Sequence, residues 1–188
     1  MKFIVKKNEI VDTLTISAAI AERRQTIPIL ANLRIVAKNG EIEVTATDLE
    51  IQIKSKSKIK NLETPGETTV SARKMSELCR SLPENEDLTF ELKENGKLSV
   101  SAKNFHADFA TLSTNDFPEL DIGSTENSLE LDSGLLKNLL TKTSFCMASQ
   151  DVRYYLNGLL LEFADTNLTA VATDGHRLAS ATYNFNHS

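Results

Sequence analysis

Leu30-Ala31-Asn32-Leu33 is echoed by Leu156-Asn157-Gly158-Leu159, and Ala46-Thr47-Asp48 returns as Ala172-Thr173-Asp174. Both matches lie at an offset of 126 residues, with no gap needed between them. Apolar positions between these anchors coincide in the same register: Ile35 with Leu161, Ile42 with Leu168, Val44 with Ala170. Each match alone is weak, but their shared register is hard to produce by chance. A long fixed period means one folding unit used more than once. The 188 residues hold one period and about half of the next. The expectation is a fragment of a longer repetitive protein, with one full core and part of another.

Within the period the pattern repeats again as strand, helix, then strands. Residues 2–5 read as a strand, and residues 8–21 as a helix with Ile10, Leu14, Ala18 and Ala21 on one face and Asn8 as its cap. Alternating runs at 33–37 and 41–46 flank Asn39-Gly40, a tight-hairpin pair suited to positive φ. Residues 48–56 read as a further strand with Leu49, Ile51 and Ile53 turned to the core. The second segment predicts a strand at 68–70 and a helix capped by Ser71, with Met75, Leu78, Cys79 and Leu82 as its apolar stripe. Pro83 stops that helix, and strands follow at 88–92, 98–102 and 107–112. The third predicts a strand at 128–131 and a helix capped by Ser133, then strands at 159–163, 168–172 and 177–183. Each unit is therefore β-α-β-β-β, an α+β design of antiparallel sheets with helices gathered on one face. Two units fill a first domain at 1–121, residues 122–127 form a polar linker, and 128–188 begin a second domain.

Composition narrows the function classes. A hydrophobic content of 40% with 25% charged residues is that of an ordinary soluble globular protein. No apolar run approaches the ~20 residues of a membrane span, and Met1-Lys2-Phe3-Ile4-Val5 reads as a strand and not a signal peptide. Cys79 and Cys146 lie far apart, as reduced thiols of a cytosolic protein would. A net charge of −5 argues against coating nucleic acid with the whole surface, yet leaves room for a local basic channel.

Catalytic and metal-binding patterns are scarce. His106, His176 and His187 have no partner at ligand spacing, and no Cys-x-x-Cys or phosphate-cradling glycine loop occurs. No cofactor or metal is expected. Asp174-Gly175-His176-Arg177 reads as a turn with Gly175 at positive φ, or as a binding surface built from that turn. A hydrolytic role for Asp174 and His176 would need a serine elbow that the chain lacks. Arg23-Arg24 fit either cations placed at a helix C-terminus or phosphate ligands. Gln150 aligns with Arg24 in the repeat, and Tyr154 and Tyr155 add stacking faces after the third helix.

A set of longer motifs goes further. Thr26-Ile27-Pro28-Ile29-Leu30-Ala31-Asn32-Leu33, Ala46-Thr47-Asp48-Leu49-Glu50, Ala72-Arg73-Lys74, Asp116-Phe117-Pro118, Gln150-Asp151-Val152-Arg153-Tyr154-Tyr155-Leu156-Asn157-Gly158 and Ala172-Thr173-Asp174-Gly175-His176-Arg177-Leu178-Ala179 stand out. Together with Met1-Lys2-Phe3 they closely resemble the bacterial sliding clamp family, the beta subunit of DNA polymerase III, from Met1 to about Thr182. The resemblance implies a DNA clamp (processivity) fold, with helices on the inner face and antiparallel sheets on the outer face. It implies three similar domains, a head-to-tail homodimer ring around double-stranded DNA, and no enzymatic activity. Such a ring holds duplex topologically and raises the local concentration of a tethered polymerase. Its contacts go to phosphates without reading sequence.

The same resemblance implies roles residue by residue. Arg23, Arg24, Arg73, Gln150, Arg153, Tyr154 and Tyr155 match duplex-contacting positions, and Arg80 falls on the same polar helix side as Arg73. Leu156, Thr173, Gly175, His176, Arg177 and Leu178 match one wall of a cleft for short peptides of DNA polymerase subunits, the clamp loader and repair proteins. Lys74, Leu78, Ala107 and Phe109 match the dimer interface. The other cleft wall and the opposing interface belong to a third domain outside these 188 residues, so ring closure by this chain alone is not expected. A cytoplasmic, nucleoid-associated location is implied, with no membrane partner. The competing reading is a peptide-binding adaptor that does not encircle DNA.

Overall fold

The computed structural model describes residues 1–21, 27–120, 129–164 and 166–185. They fall into two compact units, Met1–Ile122 and Gly123–Ser188. In the first unit β1 (Lys2–Lys6) runs into α1 (Lys7–Ile20), followed by β2 (Asn32–Lys38), β3 (Glu41–Thr47), β4 (Gln52–Lys58) and β5 (Asn61–Thr64). Then come β6 (Gly66–Ser71), α2 (Ala72–Ser81), β7 (Asp87–Leu92), β8 (Lys97–Ala102) and β9 (Phe105–Ala110).

Two antiparallel sheets result, and they exchange strands. One sheet has the order β5-β1-β7-β8-β9, the other β4-β3-β2-β6. Thus β1, the first strand of the first β-α-β-β-β segment, sits beside β7 of the second segment. In return β6, the first strand of the second segment, sits beside β2 of the first. Each half lends its leading strand to the other, so neither can complete its sheet alone. Phe3 of β1 and Phe90 of β7 are register partners and fully buried, their rings stacked at 4.9 Å. Ile10 and Leu14 of α1, and Met75 and Cys79 of α2, seal the same core. Burial pushes the Cys79 thiol up to about 12, a little offset by nearby Lys7. Lys7 is itself buried and donates to the carbonyl oxygen of Leu82.

Local details depart from the sequence reading in instructive ways. Asn39 and Gly40 have φ of 52° and 78°, as the hairpin requires. The expected strand at 48–56 starts only at Gln52. Leu49 and Ile51 do not face the core: they are 46% and 52% exposed, because Thr47 and Asp48 fold the backbone into a turn. Of the three expected caps only Ser71 holds its place, as the N-cap residue of α2. Asn8 lies inside α1 and bonds Asn85, Ser71 makes no side-chain cap, and the third helix is capped by Asp132, not Ser133. Strand β5 has too little alternation to be predicted and was not expected.

In the second unit α3 (Ser133–Thr143) starts where the Asp132 carboxylate accepts the Leu135 N–H at 2.9 Å. Strands β10 (Leu160–Ala164), β11 (Asn167–Thr173) and β12 (Leu178–Asn184) form a sheet in that order. The bounds of β11 and β12 are those of β3 and β4 displaced by the repeat offset of 126. The 3₁₀ turn Tyr154–Asn157 likewise copies Pro28–Ala31. Leu139, Leu168 and Ala170 form the core, with Leu131, Leu135 and Phe185 against it. The strand expected at 128–131 does not form over residues 129–131, and Ser128 lies outside the described residues. In the first unit that position is β1, which needs a partner from the following segment. Among the described residues no helix is long and apolar enough to cross a membrane.

Candidate functional site

The repeated Ala-Thr-Asp tripeptide is the sequence of one turn, built twice. Between β11 and β12, Asp174 Oδ1 accepts the N–H groups of His176 and Arg177, both at 2.9 Å, and Oδ2 accepts Arg177 Nε at 2.8 Å. Thr173 Oγ1 donates to the Arg177 carbonyl at 2.7 Å and accepts the Gly175 N–H at 3.1 Å. Between β3 and β4, Asp48 Oδ1 accepts the N–H groups of Glu50 (3.0 Å) and Ile51 (2.7 Å). Thr47 Oγ1 there donates to the Ile51 carbonyl at 2.9 Å and accepts the Leu49 N–H at 3.0 Å. Short polar side chains satisfying their own backbone is what Asx and Ser/Thr turns do. This assigns Asp174 a structural duty. Its carboxylate is hydrogen-bonded to the backbone of the turn and to the Arg177 side chain.

What differs between the two turns is their surroundings. Leu30 is fully buried in a small cluster with Ile29 and Phe117, whereas its counterpart Leu156 is only half-buried. Leu178, just past the second turn, is 64% exposed. Leu156, Thr173, Gly175, His176, Arg177 and Leu178 thus combine a rigid, internally satisfied turn with apolar groups left open. Tyr154 and Tyr155 precede Leu156, 82% and 67% exposed and packed edge to face. Gln150 is exposed at a φ of 57°. Arg153 is tied to Asp151 at 2.8 Å.

The first unit carries the remaining predicted positions. Arg73 pairs with Glu77 at 2.7 Å on the exposed face of α2, and Arg80 Nε lies 3.4 Å from Thr15 Oγ1 on α1. A depression of about 460 Å³ between the two helices is lined by small residues such as Ala18 and Ala72 together with Arg73, Glu77 and Arg80. An exposed pair like Arg73–Glu77 contributes little stability, so a phosphate can compete for the guanidinium. Arg23 and Arg24 lie outside the described residues. Ala107 and Phe109 sit on β9, the open edge of the five-stranded sheet. Lys74 and Phe109 line a neighbouring groove of about 360 Å³. Leu78 packs against the core beneath. Among the described residues β9 has a neighbour on one side only, and such an edge is where a sheet can continue into another chain. Among the described residues no group of three or more His, Cys, Asp or Glu side chains is placed to hold a metal ion.

Electrostatics fix the turn over a wide pH range. Backbone N–H bonds from His176 and Arg177, then the Arg177 side chain, hold the Asp174 carboxyl down at about 2. The Arg153 side chain, then its backbone N–H, does the same for Asp151. Both folded values lie below the ordinary value near 3.9, so the contribution is complete above that pH and is lost as pH falls through about 2. In an NMR titration the side-chain carboxyl carbon resonance of Asp174 will move with a midpoint near 2. A midpoint at the ordinary carboxyl value would show that Asp174 does not hold the turn.

Comparison with known proteins places these features in a lineage. The family model described as DNA polymerase III beta subunit, N-terminal domain, matches residues 1–121. The chain belongs to the DNA polymerase III beta subunit family. The model for that family's central domain matches residues 130–188. The Beta sliding clamp of Pseudomonas putida is 40% identical over 179 residues, which is 95% of this chain and 48% of that protein. The Beta sliding clamp of Escherichia coli K12 is 39% identical over the same share of this chain and 49% of its own length. Among solved structures, a DnaN sliding clamp from Pseudomonas aeruginosa bound to griselimycin superposes with a TM-score of 0.94 at 38% identity, covering 99% of this chain and 50% of that one. Caulobacter crescentus pol III beta gives 0.90 at 30% identity, covering 100% and 52%. The clamp fold is therefore shown, and the chain spans about half the length of the beta subunit relatives it matches.

Sequence reasoning missed the bonds that tie Asp151, Arg153 and Asn157 together. The signal was present: an acid two residues before an arginine and six before an asparagine, with no helical or strand period to employ them.

Proposed function

We propose that this chain belongs to a DNA polymerase processivity factor, a clamp that encircles duplex DNA and tethers polymerase subunits and other partners through a peptide-binding cleft. The observation that carries the reading is likeness along almost the whole chain to a sliding clamp solved with griselimycin bound, at 38% identity and a TM-score of 0.94. In this reading residues 1–121 are one clamp domain, 122–127 a linker and 128–188 the first half of a second. The role is binding, not catalysis. Arg73, Gln150, Tyr154 and Tyr155, with Arg23 and Arg24, meet phosphates loosely, so that the energy wells along the duplex stay shallow and sliding is quick.

Leu156 and Leu178 supply apolar walls for a partner's side chains, while Thr173, Gly175, His176 and Arg177 form the rigid polar lip. Lys74, Leu78, Ala107 and Phe109 belong to the subunit interface, where β9 offers its free edge.

The test is an NMR titration of the isotope-labelled chain with griselimycin and, separately, with a short duplex. Griselimycin is expected to perturb Leu156 and residues 173–178. The duplex is expected to perturb Arg73, Gln150, Tyr154 and Tyr155, and the effect should fade steeply with added salt. Perturbation by griselimycin alone would favour the adaptor reading. Griselimycin effects confined to other surfaces would overturn the cleft.

A further inference from the structure

Arg153 lies between two pieces of chain that are separate in sequence. On one side the loop from Ala148 to Asn157 closes on itself. Asp151 N donates to Asn157 Oδ1 at 2.9 Å, and Asn157 Nδ2 donates back to the Asp151 carbonyl at 3.0 Å. Ala148 N donates to the Leu156 carbonyl at 2.9 Å and Leu156 N to that of Arg153 at 2.8 Å. Inside this frame Asp151 Oδ1 accepts Arg153 N (2.8 Å) and Nε (3.0 Å), and Oδ2 accepts Nη2 (2.8 Å). Two parallel bonds between a guanidinium fork and a carboxylate fix direction as well as distance. On the other side Nη2 reaches the Asp174 carbonyl at 3.4 Å. The guanidinium also lies against Gly175, where a Cβ would stand 3.2 Å from Nη1 and 3.5 Å from Nη2.

The sister turn in the first unit shows what is special here. Leu49 holds the equivalent left-handed position at a φ of 79°, against 88° for Gly175. A leucine is thus accommodated in that backbone, and the turn alone does not demand glycine. The position aligned with Arg153 is Ile27, 45% exposed and unable to make polar bonds. Glycine at 175 and arginine at 153 therefore occur together, the bare Cα giving the guanidinium its seat.

We propose that Arg153 is a positioning residue, a clasp that holds the loop at 150–157 against the turn at 173–177, and not a ligand of the duplex. The inference rests on the reading of that turn as a partner-binding wall. It reassigns Arg153 from the group expected to meet DNA, because its guanidinium is held on two sides, by both carboxylate oxygens of Asp151 and by the Asp174 carbonyl, whereas Arg73 has one bond to Glu77. The clasp sets the spacing between Tyr154 and Tyr155 on the loop and Leu178 beyond the turn.

The experiment uses the full chain with Arg153→Ala, Arg153→Lys and Asp151→Asn. Solvent-exchange rates of the Gly175, His176 and Arg177 amides are read by NMR, with the Glu50 and Ile51 amides of the sister turn as internal controls. Arg153→Ala is expected to speed exchange at the second turn by about fivefold while the sister turn and the global unfolding midpoint stay put. Arg153→Lys should fail to restore it, since an ammonium cannot span Asp151 and the Asp174 carbonyl together. Asp151→Asn should act in the same direction, and the double variant with Arg153→Ala should add nothing further. In parallel, griselimycin affinity should fall in each variant and affinity for a short duplex should not.

Unchanged turn rates in Arg153→Ala would overturn the clasp. So would weaker duplex binding by the charge-conserving Arg153→Lys, since a loss of DNA affinity without a loss of charge marks the guanidinium as a duplex ligand. If the unaltered chain binds neither griselimycin nor duplex, the proposed function fails, and the amide rates still decide the clasp.

Discussion

Phe90→Ala is expected to lower the unfolding free energy of the unit Met1–Ile122 by about 3–5 kcal/mol, the usual cost of emptying a fully buried aromatic site. Phe90 has no exposed surface, and its ring stacks on that of Phe3 at 4.9 Å with planes 8° apart. The pair stands where β1 of the first segment meets β7 of the second, at the register Phe3↔Phe90. Removing one ring therefore opens a cavity and also loosens the strand exchange that joins the two halves. The neighbours cannot collapse inward easily, because Leu88 on the same strand and Leu98 and Val100 on adjoining β8 are already fully buried. Urea unfolding followed by circular dichroism measures the loss as a lower midpoint at unchanged slope. A cost under about 1 kcal/mol, the range of ordinary surface changes, would mean that the core relaxes or that the ring pair does not join the halves.

How much of this was legible in the sequence depends on which force decides each feature. Burial periodicity decided the helices and most strands: Ile10 and Leu14, and Met75 and Cys79, are all buried as their spacing predicts. In the stretch 48–56 local hydrogen bonding overrides periodicity. Leu49, Ile51 and Ile53 alternate perfectly, yet the hydrogen bonds of Thr47 and Asp48 to their own backbone outweigh that pattern and turn two of the three apolar side chains outward. Ser71 keeps the N-cap position of α2, while the third cap was misplaced because serine is only one of several residues able to cap, and Asp132 lay one position ahead of Ser133. Strand exchange was illegible altogether. Nothing in β1 or β6 states which half it will pair with, since pairing partners are a tertiary choice.

At the candidate site the motif resemblance singled out the stretches 150–158 and 172–179. The division of labour within them needed geometry. Gly175 and Asp174 could be read as a turn, but the engagement of Arg153 by Asp151 could not be distinguished from a free cation on spacing alone.

The repeat supplies a matched pair in which the same position is buried once and open once. Ile35 on β2 and Leu161 on β10 are separated by the 126-residue offset, and each faces the equivalent partner, Val44 and Ala170. Ile35 is fully buried, while Leu161 is 47% exposed. The cause is sheet order. Strand β2 lies between β3 and β6, whereas among the described residues β10 has β11 on one side only. Leu160 and Phe163 on β10 are open as well, at 60% and 55%. Ile35→Ala is expected to cost about 2–5 kcal/mol. Leu161→Ala is expected to cost no more than about 1 kcal/mol, since half of its side chain already meets water. Native-state hydrogen exchange will show the same asymmetry without any substitution. Amides of β2 should open only with global unfolding of their unit, and those of β10 through smaller local openings. Equal costs for the two alanine variants, or equal protection of β2 and β10, would require a second neighbour along β10 in solution. A strand with one open edge and three large apolar side chains in water would then be a surface already covered, which binding measurements on the adjoining turn would have to take into account.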